Sequence, residues 1–190
     1  NALPAKNAAT SIAGGVALGR TSSGDLNDML KKLMSPDLAK LSERQKLDLT
    51  RAYALAFIRM GEPADKNLAK RLVASLDSQY PAKGADLNRE LSQLLVFLKA
   101  PSVIGKTLAM MDTKVESTMV VDREALDRND GYGGTIKKVL ANTPEIQNLH
   151  YAMTLRNLRY GWKEDQRKKY FEWYKRSEEH TSELQSHLNL

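Results

Sequence analysis

The clearest candidates for metal chemistry are the oxygen-bearing side chains Asp127, Asn129 and Asp130, which lie directly before a glycine. Carboxylate and amide oxygens are the ligands that calcium prefers, and an EF-hand loop also requires a bidentate glutamate at its twelfth position. When the loop is counted from Asp127, that position holds Lys138. The spacing therefore predicts a turn with side-chain caps rather than a calcium site.

Histidine and cysteine chemistry is almost absent from the sequence. The chain has no cysteine, and His150 is the only histidine before residue 176. A zinc site of Cys/His type, an iron–sulfur cluster, a thiol nucleophile and a disulfide framework are therefore excluded for this segment. No serine or carboxylate is spaced to form a catalytic set with His150, which we expect to be a packed or surface residue. The sequence thus predicts no enzyme active site and no cofactor or metal site.

The polar residues Asn88, Arg89 and Glu90 lie near the start of an otherwise apolar helix. A carboxylate in this position can pair with a basic side chain of an adjacent helix, and the candidates are Arg51 and Arg59. We expect a structural ion pair, with Glu90 ordering the interface between two repeats, rather than a reactive group.

Basic residues alternate with aromatic residues between positions 156 and 175. The basic residues include Arg156, Arg159, Lys163 and Arg167, and Trp173 is one of the aromatic residues. This pattern can bind nucleic acid through phosphate contacts and base stacking. It is more simply explained by a terminal repeat whose aromatic face packs on its neighbour and whose basic face is solvated. We favour the packing interpretation; nucleic acid and an acidic lipid or polysaccharide are the alternatives.

The best-marked helix that could position these residues is predicted at Glu43–Met60. Apolar residues, Ile58 among them, recur there at steps of three and four, which is typical of a buried helix. Ser42 and Gln45 form a capping-box pattern at the start. Gly61, followed by a proline two residues later, ends the helix.

The same combination of an apolar stripe and a Pro or Gly stop recurs along the chain, and no strand is indicated. The polar, glycine-rich stretch 113–134 departs from it, and we expect an irregular insertion there. Leu149 and Met153 belong to the apolar stripe of a helix that Gly161 should close, and Ser102 is expected to cap another. The further helices are predicted at about 8–18, 25–34, 65–79, 86–99, 102–111, 143–160 and 162–175.

Helix pairs joined by short turns at a pitch of about 40 residues are typical of HEAT and armadillo arrays. We therefore predict an all-α fold, a HEAT-like solenoid of stacked antiparallel helix pairs over residues 1–175. A compact helical bundle, which uses the same amphipathic pattern, is the alternative. No apolar run approaches the roughly 20 residues needed to span a bilayer, so no transmembrane segment is expected.

The last residues, 176–190, coincide with the in-frame translation of a common sequencing adapter. We expect them to be a non-native tail, and the segment before them to be a fragment open at both ends. The tail holds one arginine and three glutamates, so the formal net charge of residues 1–175 is +8 rather than +6. This basic balance is what keeps nucleic acid among the alternative partners.

Three segments carry a family resemblance: RAYALAFIRMG at 51–61, LNRELSQLLVFLKAP at 87–101 with the nearby residues 106–108, and HYAMTLRNLRYGWKEDQRKKYFEW at 150–173. Together they resemble the HEAT-like repeat region of large multidomain secreted proteins of Planctomycetes and Verrucomicrobia. These are described as PVC-type haem-binding or membrane-bound dehydrogenase-like proteins.

The resemblance implies a modular parent protein. A sugar-dehydrogenase-like β-propeller would precede the repeat region, and a c-type cytochrome domain with a CxxCH motif would follow it. Haem c is then expected in the missing downstream domain, because this chain has no cysteine to which haem attachment could be transferred. A periplasmic or extracytoplasmic location is likewise implied.

On this basis the predicted function is a non-catalytic scaffold or spacer. Its partners would be the flanking domains of its own chain and a protein bound on the concave face of the solenoid. The alternative is a stand-alone helical-repeat module that binds nucleic acid.

Overall fold

The computed structural model describes Gly14, residues 25–113 and residues 146–175 of the 190-residue chain. Every regular element in these ranges is helical, and no strand occurs among them. The predicted all-α class is therefore confirmed. Four predicted features lie wholly or almost wholly outside the described residues: the helix at 8–18, the insertion at 113–134, the turn at 127–131 and the tail at 176–190.

The described helices are numbered here in chain order, with one short 3-10 helix between the first two. They are α1 (Leu26–Leu33), the 3-10 helix (Leu38–Lys40), α2 (Glu43–Met60), α3 (Lys66–Asp77), α4 (Ala85–Phe97), α5 (Val103–Asp112), α6 (Ile146–Leu155) and α7 (164–175).

Side-chain caps fix where several helices begin. The Ser42 hydroxyl accepts from the Gln45 backbone N–H, and the Gln45 side chain accepts from the Ser42 backbone N–H, which completes the predicted capping box of α2. Asp25 and Asp65 cap α1 and α3 through carboxylate oxygens that accept backbone N–H groups. Such caps satisfy donors that the first helical turn leaves without partners.

Helix α4 lies at the centre of the described structure. It packs most extensively on α2 and then on α6, and it also contacts α3 and α5. Its buried residues surround most of the helix, as expected for an element covered on several sides. The side chains buried furthest in the core are mostly leucines: Leu30, Leu33, Leu49, Leu72, Leu76, Leu91, Leu95 and Leu155.

Helices α2 and α4 run side by side in the same direction. Arg51 Nε lies 3.1 Å from Glu90 Oε1 near the middle of the two helices. Near their ends the rings of Phe57 and Phe97 stack with centroids 5.0 Å apart. The partners in these pairs are 39 and 40 residues apart along the chain, so α4 repeats the path of α2 after a nearly constant interval.

Helices α4 and α6 have the same parallel arrangement. The side-chain amide of Gln147 donates to the Ala85 carbonyl over 3.0 Å, which brings the two helix starts together across 62 residues. Further along, His150 lies near enough to Arg89 and Glu90 of α4 for both residues to influence its pKa. Helices α5 and α7, which follow α4 and α6 along the chain, are also in contact. Lys169 Nζ of α7 lies 3.2 Å from Asp112 Oδ2 of α5 across 57 residues, so α7 follows α5 at a similar interval.

The end of α3 is fixed to the start of α5 by polar contacts. Lys106 Nζ donates to the backbone carbonyls of Asp77 and Tyr80, each over 2.8 Å, and the Tyr80 and Thr107 hydroxyls lie 2.6 Å apart in the core. The partners are only 26 to 29 residues apart. Helix α3 therefore does not stack on α5 at the interval that relates α2 to α4.

Several sequence predictions about side chains are wrong. Ile58 is 82% exposed, because the buried stripe of α2 runs through residues at steps of three and four from Leu49 and Ile58 lies beside it. Leu149 and Met153 of α6 are also exposed. Ser102 makes no capping hydrogen bond; its hydroxyl lies 2.5 Å from Asp77 Oδ1 instead.

Helix bounds differ from prediction by smaller amounts. Helix α6 ends at Leu155 rather than near Gly161, because the backbone tightens into a turn in which Leu158 N–H donates to the Leu155 carbonyl. Helices α3 and α4 each end two residues before the predicted end.

Candidate functional site

The predicted ion-pair partners are brought together by the packing of α2 on α4. Arg51 and Glu90 form a pair whose side chains are 53% and 24% exposed. Arg59 lies two turns further along α2, and Arg89 contacts Asp86 within α4. The Arg51–Glu90 pair is thus a half-exposed contact between the two helices, and such pairs contribute little to stability individually.

His150 lies on α6 beside α4. Burial is the main influence on its pKa and lowers it below the usual value, whereas the nearby Arg89 backbone and the charge of Glu90 oppose this shift. The Nε2 atom is buried and makes no hydrogen bond. The imidazole therefore lies in a helix interface where its neutral form is favoured.

A groove of about 570 Å³ lies between α6 and α7. Gly161, in the connection between the two helices, has a φ of +85°, a backbone conformation that other residues rarely adopt. After this turn the Trp162 indole N–H donates to the Leu158 carbonyl over 2.8 Å, and the Gln166 side chain accepts from Lys163 N–H at the start of α7. Side-chain hydrogen bonds thus fix the connection between the two helices, beside which the groove lies.

Aromatic rings form the floor of this groove. The ring of Tyr170 lies 5.0 Å from that of Trp162, 5.6 Å from that of Phe171 and 5.1 Å from that of Tyr174. The Tyr170 hydroxyl donates to the Ala152 carbonyl over 2.8 Å, and burial raises the pKa of this hydroxyl. Tyr170 is thereby fixed as the centre of the cluster, while Phe171 is 66% exposed at the groove edge.

Three arginines surround the groove: Arg156, Arg159 and Arg167. All three are exposed, and none forms an ion pair with a carboxylate in residues 25–113 or 146–175. Lys163 and Trp173, which were predicted to share this surface, do not line the groove. Trp173 instead packs edge-on against Tyr174, with ring centroids 5.1 Å apart.

A second groove of about 560 Å³ adjoins the first. It lies between the turn that follows α4 and the turn that follows α6, and Phe97, Lys99 and the 85% exposed Tyr160 line it. Leu158 and Arg159 line both grooves. Arg159 therefore stands between two adjoining apolar recesses.

Sequence reasoning missed the polar cluster that joins α3 to α5. Lys106 Nζ lies 2.9 Å from Asp77 Oδ1 in addition to its two carbonyl contacts. A lysine at the C-terminal end of a helix satisfies carbonyls that the last turn leaves free. The sequence gives no signal for this contact, because the partners are on different helices with no fixed spacing.

No group of three or more His, Asp or Glu side chains among the described residues is placed to hold a metal ion. No helix in the described part of the chain is both long and apolar enough to cross a membrane. No protein-family model, curated protein or solved structure matches the chain.

Proposed function

We propose that the chain is a non-catalytic helical scaffold, built as a HEAT-like solenoid, that holds neighbouring domains of a larger secreted protein at a fixed separation. The observation that carries this proposal is the repeated parallel register of α2, α4 and α6. In a solenoid each helix pair stacks on the next, so the corresponding helices of successive pairs lie side by side and point the same way.

The two intervals support this interpretation. Helix α4 contacts α2 across 39 residues, which is close to the length of one HEAT repeat. Helix α6 contacts α4 across 62 residues. The difference corresponds to the length of the insertion predicted at 113–134, so the added residues would lengthen a connection without changing how the helices stack.

A solenoid of this kind suits a spacer, because stacking fixes its curvature while one face stays free for a partner. The resemblance to PVC-type proteins supplies the domains to be held apart: a sugar-dehydrogenase-like domain before the repeats and a c-type cytochrome domain after them. Haem c is assigned to the second of these domains, since this chain has no cysteine for thioether attachment.

The spacer function can be tested by measuring a distance along the array. Because the chain is free of cysteine, Lys32→Cys and Lys168→Cys introduce a unique pair of spin-label sites, both exposed, on α1 and α7. We expect double electron–electron resonance to give one narrow distance distribution. A broad or multi-peaked distribution would contradict a spacer, because such a chain could not hold two domains at a fixed separation.

Nucleic-acid binding is the second candidate function. The observation in its favour is the set of three arginines without carboxylate partners beside the exposed rings of Tyr160 and Phe171. Phosphate contacts with these arginines would make binding strongly salt-dependent. Under the scaffold proposal, single-stranded and duplex DNA should not bind at about 150 mM salt, whereas micromolar affinity that falls steeply with salt would favour this second function.

A further inference from the structure

We propose that the paired grooves at the end of α6 bind an acidic protein segment that inserts an aromatic or long aliphatic side chain on either side of a carboxylate. The segment's carboxylate would lie at Arg159 and its two apolar side chains in the adjoining grooves. This inference goes beyond the scaffold function and does not depend on it, since the grooves exist whether the helices form a solenoid or a bundle.

The size and lining of the grooves indicate apolar side chains as ligands. The first groove has a volume of about 570 Å³ and the second about 560 Å³, and both volumes lie within the range of small-ligand sites. Phe171 and Met153 line the first groove, and Phe97 and Tyr160 line the second, and all four side chains are more than a third exposed. Burying such surfaces under a partner's apolar side chain is favourable.

The charge of the rim indicates an acidic partner. Arg156, Arg159 and Arg167 lie around the first groove without carboxylate partners among the described residues. Guanidinium groups bind carboxylates through paired hydrogen bonds. A segment with acidic residues would therefore neutralise a rim that the chain itself leaves unpaired.

The position of Arg159 indicates the order of side chains in the segment. Arg159 and Leu158 line both grooves, so a carboxylate bound at Arg159 has an apolar recess on each side. A chain that follows this path would present an apolar residue, an acidic residue and a second apolar residue in that order.

A protein segment fits these features better than a nucleic acid does. The rings of Trp162 and Tyr170 already pack against each other, tilted by 57°, and the Tyr170 hydroxyl donates to the Ala152 carbonyl. These rings form the floor of a recess rather than an open platform on which successive bases stack. The exposed ring of Phe171 lines the first groove, and the exposed ring of Tyr160 lines the second.

The test is a selection from a phage library of random 12-residue peptides, panned on the full chain. The variant Arg159→Glu serves for counter-selection, and Arg71→Glu is the matched control, because Arg71 is an exposed arginine of α3 that lines neither groove. Affinities of recovered peptides are then measured by fluorescence anisotropy, with a 20-nucleotide single-stranded DNA as competitor.

We expect recovered peptides to carry Asp or Glu between aromatic or long aliphatic residues. Arg159→Glu should weaken their binding at least about tenfold, and Arg71→Glu should change it by less than about twofold. If Arg159→Glu lowers helicity by circular dichroism, Arg159→Gln replaces it, with weaker binding again expected.

The proposal is overturned if no peptide is enriched over the counter-selected library, if enriched peptides lack acidic residues, or if Arg159→Glu binds them as the unmodified chain does. DNA that competes more strongly than the peptides would assign the grooves to nucleic acid. Because both variants should keep the spin-label distance between α1 and α7, failure here is distinguishable from failure of the scaffold function.

Discussion

The hydrogen bond between Tyr80 and Thr107 is the most direct probe of how α3 is fixed to α5. The two hydroxyl oxygens lie 2.6 Å apart, and the residues are 2% and 0% exposed. Tyr80→Phe removes one hydroxyl and leaves that of Thr107 buried without its partner. An unsatisfied buried polar group costs about 1–3 kcal/mol, so the variant should lose that much of its free energy of unfolding.

Thr107→Val should cost a similar amount for the converse reason, since the Tyr80 hydroxyl is then left without its partner. In the double variant neither hydroxyl remains, so no unsatisfied group is buried. We therefore expect the double variant to lose less than the sum of the two single losses, with a coupling of about 1–2 kcal/mol. For a chain of this length a loss of 1 kcal/mol lowers the melting temperature by about 2–4 °C.

The assay is urea unfolding followed by circular dichroism at 222 nm and by the fluorescence of Trp162 and Trp173. The free energies of the four proteins close a double-mutant cycle. Single losses below about 0.3 kcal/mol, or losses that add without coupling, would refute the argument, because a buried hydroxyl pair must depend on both members.

Three further perturbations follow from the site and the fold. Arg51→Ala and Glu90→Ala should show a coupling of only about 0.2–1 kcal/mol in a double-mutant cycle, since the pair is half exposed; a value above about 2 kcal/mol would contradict this. Gly61→Ala should destabilise the chain by about 1–3 kcal/mol in urea unfolding, because φ is +80° and ψ is −160° there; an unchanged midpoint would be inconsistent with that backbone. The pKa of His150 is lowered in the folded chain, so the unfolded chain binds protons more readily below about pH 6.5. The free energy of unfolding should therefore fall as the pH drops from 7.5 to 5, and it should fall less in His150→Gln. If the free energies of the two proteins change equally with pH, this contribution is excluded.

Helix α2 could be predicted to the residue because its limits are set locally. The capping box at Ser42 and Gln45 and the glycine at 61 act within one turn of each helix end. The bounds of α3 and α4 were predicted less closely, because their last turns tighten into backbone turns that no single residue announces.

The burial of individual apolar residues could be predicted only where the stripe was narrow. In α2 the apolar residues extend around more of the helix surface than the neighbouring helices cover, so Ile58 is left exposed. In α6 the buried side holds Tyr151, Ala152 and Leu155, whereas Met153 faces the groove. Which part of a broad stripe is covered depends on neighbouring helices, and the periodicity of one helix does not contain that information.

In the candidate site, too, local features could be predicted and contacts between helices could not. The sequence identified Arg156, Arg159 and Arg167 as one surface, because they lie close together along the chain. It did not predict the second groove, since Phe97 and Tyr160 are brought together only by the packing of α4 beside α6. Contacts between distant segments, such as that of Lys106 with Asp77, could likewise not be predicted from the sequence.

The central claim, that successive helix pairs are stacked neighbours, is tested most directly by hydrogen exchange in two cavity variants. Leu49 of α2 and Leu155 of α6 are both buried, and replacing either by alanine should cost about 2–5 kcal/mol locally. In a stacked array, stability is carried by each pair and its nearest neighbour.

Leu155→Ala should therefore speed amide exchange in residues 146–175 while α2 keeps its protection. Leu49→Ala should speed amide exchange in α2 while residues 146–175 keep their protection. Exchange is followed by mass spectrometry over residues 25–113 and 146–175. If either substitution instead lowers protection equally across all the described helices, the chain unfolds as one cooperative bundle and the stacked-pair account is wrong.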